Sequence, residues 1–264
     1  MLEIINAQKT FLKGTPNEHQ ALKDLSLTLE DGDFTTIVGS NGAGKSTLFG
    51  AVCGNFMLDG GGVILDGKDI TFMPEHKRAR MIGRVFQDPM KGTAPNMTIE
   101  ENLALAYSRN RKHPLGFAIR KKDSEMFREY LSRFSMGLED RMDAKVGLLS
   151  GGQRQVVTLL MCTMVAPKLL LLDEHTAALD PATAEKVMDI TKEIVAEQNL
   201  TTMMITHNLK SALTTGNRLL MLDSGEIILD VKGEEKNQLT LDGIMKLYSQ
   251  KKNKELDNDR MLLN

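Results

Sequence analysis

The sequence predicts an α/β fold, and three observations lead to this prediction. Short runs of β-type residues, such as DFTTIV before Gly39 and TTMMIT at 201–206, alternate with segments of helical period. The run Leu169–Leu172 is continuously apolar, as in parallel strands that helices cover on both faces. Asp180 followed by Pro181 is typical of a helix start, and apolar residues recur at helical spacing after it. Together these patterns indicate the α/β class.

The remaining elements follow along the chain. The N-terminal 35 residues are strand-like, and IGRVF before Gln87 is another β-type run. From Asp88 to about Leu148 the strand signals vanish and the period is helical, which predicts a helical subdomain inserted into the core. Two apolar runs around Asp223-Ser224-Gly225 predict a β-hairpin. We therefore expect an α/β core formed by 1–87 and 158–232, with a β subdomain in the first of these parts. A helical insert is expected at 88–157, and a C-terminal helix and charged tail at 233–264.

Composition and charge limit the classes of partner. The chain has 264 residues with 33 basic and 35 acidic side chains, so its net charge of −2 creates no general attraction to nucleic acid or anionic lipid. The stretch Arg109–Lys122 carries six Lys or Arg residues but no ladder of aromatic residues. We interpret it as a solvated surface rather than a nucleic-acid patch, and we expect no nucleic-acid partner. Cys53 and Cys162 stand far apart, which favours packed thiols of a reduced intracellular protein.

No segment of the sequence has the features of a secretory signal or a membrane span. The N terminus lacks a basic region followed by an apolar core. The most apolar segment, Val156–Leu172, is short and is interrupted by Pro167 and Lys168. We expect the chain to reach a membrane only through a partner that holds it there.

A glycine-rich loop follows the strand that ends near residue 39. Residues 39–46 fit the pattern G-x-x-x-x-G-K-[ST], between a strand and a helix. Gly42 and Gly44 permit a backbone path that turns several N–H groups towards one phosphate, and the N terminus of the following helix adds its positive field. Lys45 is then expected to contact the terminal phosphates, and the hydroxyl of Ser46 to bind Mg²⁺.

Two carboxylates follow the Leu-rich strand in the segment LLLLDEHTAALD. Asp173 and Glu174 come at its carboxyl end, which is the edge where α/β sheets bind ligands. Because neighbouring residues on a strand project to opposite faces, we expect the two carboxylates to have different roles. Asp173 is expected to hold Mg²⁺, and Glu174 to orient and polarise the attacking water.

Two further polar residues end predicted strands. Gln87 has an uncharged oxygen that suits the metal or its water, and His207 has a ring that can hydrogen-bond a terminal phosphate. Each residue taken alone is better explained as an exposed side chain. Gln87 and His207 indicate a nucleotide site only in combination with the loop and the carboxylates.

The segment LSGGQRQ opens a second helix with two glycines behind a serine. Ser150 and Gln153 have the spacing of a capping box. The backbone N–H groups of Gly151 and Gly152 form a second anion-binding helix start that has no phosphate of its own. We expect it to contact the terminal phosphate bound by a second copy in a two-fold symmetric dimer.

With these motifs in this order, the chain resembles the ATP-binding subunits of ABC transporters over residues 2–250. The resemblance implies a P-loop NTPase core of ABC ATPase type with an N-terminal antiparallel β subdomain and an inserted helical subdomain. It also implies the following roles: Phe11 stacks on adenine; Gly39, Ser40, Asn41, Gly42, Ala43, Gly44, Lys45, Ser46 and Thr47 form the Walker A loop; Gln87 is the Q-loop residue; Ser150, Gly151, Gly152 and Gln153 are the signature acting across the dimer; Asp173 and Glu174 are the Walker B residue and the catalytic base; Asp180 belongs to the D-loop; and His207 is the switch histidine.

The resemblance further implies an ATPase that uses MgATP, forms a homodimer and powers separate membrane permease subunits, together with a solute-binding protein. The resemblance places the chain at the cytoplasmic face of the cell membrane. It implies that the transporter imports a small solute, and an amino acid is one candidate. Two residues depart from the family pattern. Phe11 replaces the more frequent Tyr and keeps the stacking face. His175 replaces the usual proline and adds a titratable ring beside Glu174, a form similar to importer subunits of the aromatic amino-acid type.

Other members of the superfamily offer alternative interpretations. A soluble ATPase in assembly or regulation, for example of iron–sulfur clusters, has the same motifs. Chromosome-type members are disfavoured because no long heptad segment precedes the signature, and translation-factor members because they carry two cassettes. A nucleotide-binding module without turnover is disfavoured by Glu174.

Overall fold

The computed structural model describes residues 1–109, 120–244 and 246–248. Its strands are β1 (Leu2–Phe11), β2 (His19–Leu29), β3 (Phe34–Gly39), β4 (Gly60–Leu65), β5 (Lys68–Asp69), β6 (Ile82–Val85), β7 (Leu169–Asp173), β8 (Thr202–Ile205), β9 (Arg218–Asp223) and β10 (Glu226–Lys232). Its helices are α1 (Lys45–Cys53), α2 (Glu75–Arg78), α3 (Ile99–Ser108), α4 (Lys121–Ser132), α5 (Gly151–Thr163), α6 (Pro181–Gln198), α7 (Leu209–Thr214) and α8 (Glu234–Gln238). Residues 110–119 of the basic stretch and 249–264 of the charged tail lie outside the described residues, so the predictions for them stay predictions.

The chain divides into two compact units. The first unit comprises Met1–Met73 and the residues from Met203 onward, and the second unit comprises Pro74–Thr202. The finer division expected from the sequence, with limits at residues 87, 157 and 232, stays a prediction. None of the helices in the described part of the chain combines the length and apolar composition needed to cross a bilayer.

The first unit contains the antiparallel subdomain implied by the resemblance. Four strands lie in the order β2-β1-β4-β5, and all their pairings are antiparallel. In β1, Leu2 lies opposite Leu29 of β2 and opposite Leu65 of β4. Leu2 and Ile4 are at most 2% exposed, because alternate side chains of a strand point to the same face. The strand-like character predicted for the N terminus is thus confirmed.

The first unit also contains strands in the order β10-β9-β3-β8. Strands β3 and β9 are parallel, with Thr35 opposite Arg218 and Gly39 opposite Leu222. Strands β9 and β10 form the predicted hairpin, in which Asp223 pairs with Glu226. The phosphate loop therefore leaves a strand that has a neighbour on each side, and this fixes the point from which the loop starts.

The second unit contains the parallel pair β6 and β7 and most of the long helices. Ile82 to Val85 pair in register with Leu169 to Leu172. The four leucines are 0% exposed, which confirms a strand buried on both faces. Among the described residues of the predicted helical insert, α3 and α4 are the long elements, and the only β-type pairing is an isolated bridge between Thr98 and Lys145. Helix α6 begins after Asp180, as predicted.

Both cysteines are free and buried, as the sequence predicted. The Cys162 thiol donates to the backbone oxygen of Arg84 at 3.3 Å. Burial raises the pKa of this thiol to about 11. The thiol is therefore protonated and serves packing in the second unit.

Candidate functional site

The phosphate loop lies between the end of β3 and the start of α1. Gly44 caps α1 with a left-handed φ of 99°, and a Cβ there would lie 2.6 Å from the backbone oxygen of Ala21. Only glycine fits this position, because both the backbone conformation and the space exclude a side chain. No side chain caps the start of α1. The local structure is thus that of an anion-binding loop.

Lys45 is fixed at the start of α1 by its own loop. Its Nζ donates to the backbone oxygens of Gly39 at 2.8 Å and Ser40 at 2.9 Å. The residue is 5% exposed, whereas Ser46 beside it is exposed. The ammonium group is therefore held in one place by two charge-assisted hydrogen bonds.

The loop rests on the turn of the β9–β10 hairpin. The N–H of Gly225 donates to the oxygen of Ala43 at 3.1 Å, and the N–H of Lys23 donates to the oxygen of Gly225 at 3.0 Å. The hydroxyl of Ser40 contacts Asp223 Oδ1 at 3.3 Å. Residues far apart in the sequence thus fix the rear of the loop, while its donor face is built locally.

Two other predicted residues lie in the first unit. Phe11, at the end of β1, is half-buried and packs edge to face against Phe56, with 5.3 Å between ring centroids. Lys9 Nζ lies 5.5 Å from the centre of the Phe11 ring. His207 is exposed, two residues after β8. It lines a cavity of about 270 Å³ together with Gly39 and Ser40. The structure thus brings His207 and the start of the phosphate loop to one cavity.

Asp173 ends β7 in the second unit and is paired with an arginine that sequence reasoning missed. Arg84 Nη2 donates to Asp173 Oδ2 at 2.8 Å, and both side chains are less than one-fifth exposed. Arg84 lies in β6, opposite Leu171 in the parallel ladder. A single charged residue in the apolar run IGRVF was the available signal, because a partly buried charge requires a partner.

Glu174 follows the strand in a left-handed conformation, with φ of 49°. Its Oε2 accepts from the side-chain nitrogen of Gln87 at 3.1 Å, so two predicted site residues meet. We expected Asp173 and Glu174 to point in different directions because neighbours on a strand alternate, and this reason was wrong. The strand ends at Asp173, and the left-handed turn gives Glu174 its different direction.

His175 turns inward and is 2% exposed. Its Nε2 lies 3.1 Å from the hydroxyl oxygen of Thr191 in α6. Burial lowers the pKa of the ring to about 4. The ring that the sequence places next to Glu174 is therefore buried, and it is uncharged at neutral pH.

The helix start at Ser150 has the predicted capping box. Ser150 Oγ accepts from the N–H of Gln153 at 3.3 Å, and Gln153 Oε1 accepts from the N–H of Ser150 at 3.2 Å. A Cβ at Gly152 would lie 2.1 Å from Cγ2 of Thr183, so this glycine also permits close packing of α5 on α6. Gly151 is exposed.

Two side chains fix the segments around these helix starts. Arg154, which sequence reasoning did not single out, donates to the backbone oxygens of Val146, Gly147 and Leu149 at 2.9–3.1 Å. It therefore fixes the turn that precedes Ser150. Asp180 is exposed and caps α6 by accepting from the N–H of Thr183 at 3.1 Å. Hydrogen bonds from Thr183 lower the pKa of Asp180 and keep it ionised.

Comparison with known proteins gives similarities over most of the chain. Residues 22–177 match the family described as ABC transporter. The chain is 45% identical over 248 residues to the tyrosine transport ATP-binding protein of Clostridioides difficile (strain R20291), covering 94% of this chain and 98% of that protein. It is 33% identical to the spermidine/putrescine import ATP-binding protein PotA of Haemophilus ducreyi, covering 87% of this chain and 57% of that protein. The solved dimeric post-hydrolysis structure of the ATP-binding cassette MJ0796, bound to ADP and Pi, has a TM-score of 0.75 and 29% identity, covering 88% of this chain and 98% of that one.

Proposed function

Because the chain belongs to the ABC transporter family, as an ATP-binding subunit, we propose that it powers the import of an amino acid, with tyrosine as the first candidate. The chain is an ATPase that converts ATP and water to ADP and phosphate. The tyrosine transport relative supports this cargo, because it aligns over 98% of its length at 45% identity. The spermidine/putrescine import relative aligns over 57% of its length at 33% identity, which supports import more than it supports that cargo.

The observation that carries the ATPase role is the phosphate loop with its fixed lysine. The backbone from Gly39 to Thr47 binds the phosphates, and Lys45 places its charge on the terminal ones. Phe11, which is half-buried at the end of β1, stacks on the adenine. His207 hydrogen-bonds the terminal phosphate from the cavity that it shares with the loop.

Oxygen donors for Mg²⁺ are Ser46, Asp173 and Gln87. Their hydroxyl, carboxylate and amide oxygens are the ligand types that this ion prefers. Gln87 contacts Glu174 through its amide nitrogen, which is not the atom that a metal would use. When bound, Mg²⁺ neutralises charge that develops on the phosphates. Glu174 orients the attacking water, and its bond to Gln87 holds the carboxylate.

The second anion-binding helix start acts on a second copy of the chain. The N–H groups of Gly151 and Gly152 open α5, and Ser150, Gln153 and Arg154 hold their backbone in place. We assign these residues, with Asp180, to the interface of an ATP-bound homodimer, in line with the dimeric related cassette. The dimer works on permease subunits at the cytoplasmic face of the membrane, with a solute-binding protein that delivers the cargo.

The dimer and the base are tested together with Glu174→Gln. We expect this variant to bind ATP, lose turnover and accumulate as an ATP-bound dimer, because closure no longer ends in hydrolysis. Light scattering with MgATP and a phosphate-release assay measure both properties. Glu185→Gln, an exposed carboxylate of the same unit, is the matched control and should behave as the parent. Parental turnover, or a monomer in MgATP, would contradict the proposal.

The role of the signature across the dimer is tested with Ser150→Phe. The bulky ring should spare ATP binding by the phosphate loop and abolish turnover, since it obstructs the second copy's approach. Ser132→Phe, at an exposed position near the end of α4, controls for added aromatic surface. Normal turnover of Ser150→Phe would remove the proposed role.

The transport role is tested by crosslinking in membranes, followed by recovery of this chain. We expect a multispanning permease to copurify and, in vesicles loaded with ATP, to take up labelled L-tyrosine. Unlabelled L-tyrosine should compete and spermidine should not. Recovery of soluble partners alone would favour an assembly ATPase, and uptake of another solute would replace tyrosine as the cargo.

A further inference from the structure

The backbone at Glu174 has a conformation that a residue with a side chain seldom adopts. Its φ of 49° lies in the left-handed region, directly after β7. Such a conformation persists only where the surrounding structure holds it. The hydrogen bond from Gln87 reaches the end of the Glu174 side chain, and the N–H of Ala177 donates to the Glu174 backbone oxygen at 2.9 Å within the turn. A contact that fixes the turn to a neighbouring helix adds a further constraint.

The next residue supplies this constraint. His175 is 2% exposed, and its ring reaches from the turn to the middle of α6, where Nε2 lies 3.1 Å from the Thr191 hydroxyl oxygen. Thr191 is itself 0% exposed. A ring enclosed in this way has few rotamers available, so its position determines where the backbone of the turn lies.

The direction of the hydrogen bond follows from the chemistry of the threonine. The Thr191 hydroxyl has one hydrogen, and it donates this hydrogen to the backbone oxygen of Val187 at 2.7 Å. Its oxygen can therefore only accept from His175, which places the ring hydrogen on Nε2. The result is a buried chain of two bonds, from His175 through Thr191 to the backbone of α6, in which each donor has an acceptor.

From this geometry we infer that His175 is a positioning residue for Glu174. By tying the turn to α6, it holds the Glu174 backbone in its left-handed conformation and the carboxylate where Gln87 contacts it. The inference rests on the proposed role of Glu174 as the base. When the tie is lost, the backbone relaxes towards a commoner conformation and the carboxylate moves, and a displacement of about 1 Å costs roughly a hundredfold in rate.

The test removes each end of the bond and measures kcat and KM for ATP. His175→Leu and Thr191→Val should each lower kcat by roughly 10- to 100-fold, while KM stays within about twofold because the phosphate loop is unchanged. The double variant should be no slower than the slower single variant, since both remove the same bond. Thr191→Ser keeps the hydroxyl, and His175→Gln keeps an N–H donor, so both should recover most of the lost rate.

The matched control is Thr163→Val. Thr163 is 1% exposed, and its hydroxyl makes the same kind of bond within α5, to the backbone oxygen of Leu159 at 2.9 Å, without a histidine. It should lose stability as Thr191→Val does but keep the parental kcat. Equal effects of Thr163→Val and Thr191→Val on kcat would show that the bond serves stability alone.

Two outcomes separate this inference from the proposed function. If Glu174→Gln is inactive while folded His175→Leu keeps the parental kcat, the base is correct and the positioning role is wrong. If Glu174→Gln keeps the parental kcat, the proposed function fails first, and the inference fails with it. Loss of kcat in both, with Tm of His175→Leu above the assay temperature, supports the inference.

Discussion

The phosphate loop of the first unit and the carboxylate edge of the second hold their charged groups by different means. Lys45 bonds to backbone oxygens five and six residues before it. Asp173 and Glu174 bond to Arg84 and Gln87, which are 89 and 87 residues away in the sequence. The hydrogen bonds of Lys45 thus lie within one loop. The contacts of Asp173 and Glu174 exist only when β6 pairs with β7.

This difference predicts how each region fails. Damage to a locally built loop should remove ligand binding while the rest of the chain keeps its packing. Damage to a pairing between distant strands should lower stability as well as activity, because the same contacts serve both. The four substitutions below test this contrast, and they descend in expected size.

The largest effect is expected from Lys45→Met. Loss of the ammonium group should weaken ATP binding by about a hundredfold or more, because its proposed charge-assisted contacts to the phosphates, of roughly 1.5–3 kcal/mol each, are lost. Isothermal titration with ATP measures the change. Lys68→Met, at an exposed position of the same unit, should bind ATP as the parent does. A loss in Lys45→Met of less than tenfold would contradict the role of the loop.

The next largest effect is expected from Arg84→Met. Removing one partner of a largely buried ion pair leaves the Asp173 carboxylate without its counter-charge, at a cost of about 2–3 kcal/mol in unfolding free energy. Urea unfolding measures this loss, with exposed Arg128→Met as the control. If Arg84→Met were as stable as Arg128→Met, the two regions would not differ in the way we expect.

A smaller effect is expected from Gly152→Ala. The added methyl would lie 2.1 Å from Cγ2 of Thr183, so α5 and α6 must separate at a cost of about 1–2 kcal/mol. Thr183→Ser removes this methyl group, and the double variant should regain most of the stability in thermal unfolding. If the second change brings no recovery, the contact is not the reason for glycine at this position.

The smallest effect is expected from Ser150→Ala. The cap is a local device, and its loss should cost about 1 kcal/mol in thermal unfolding. Ser150→Thr keeps an oxygen for the Gln153 N–H and should stay near the parent. If Ser150→Ala lost as much stability as Arg84→Met, a local helix cap and a long-range ion pair would not differ in the way we expect.

Much of the fold and part of the site were predictable because their causes are local. The buried leucines of β7, the Asp180-Pro181 start of α6 and the Asp223–Gly225 hairpin each have a signature within a few residues. The capping box at Ser150 and Gln153 is of the same kind. Short-range patterns carry enough information for such features, since the interacting groups are neighbours in the chain.

Other features had no local cause that the sequence displays. The pairing of Arg84 with Asp173 depends on which strands become neighbours, and the contact of Gly152 with Thr183 depends on how two helices cross. Glu174 has a left-handed backbone although it is not glycine, and the residue after it, His175, is fixed by a contact to Thr191 in α6. Such features arise from tertiary packing, so residue type alone does not reveal them.

The support of the phosphate loop by the β9–β10 hairpin has a consequence for synthesis on the ribosome. The loop leaves the exit tunnel early, but the strand beside β3 and the turn that bonds to Ala43 belong to residues 218–225. At roughly 5–20 residues per second, the nascent chain spends tens of seconds with the loop exposed before these partners are made. The support of the loop is therefore complete only when nearly all of the protein has been translated.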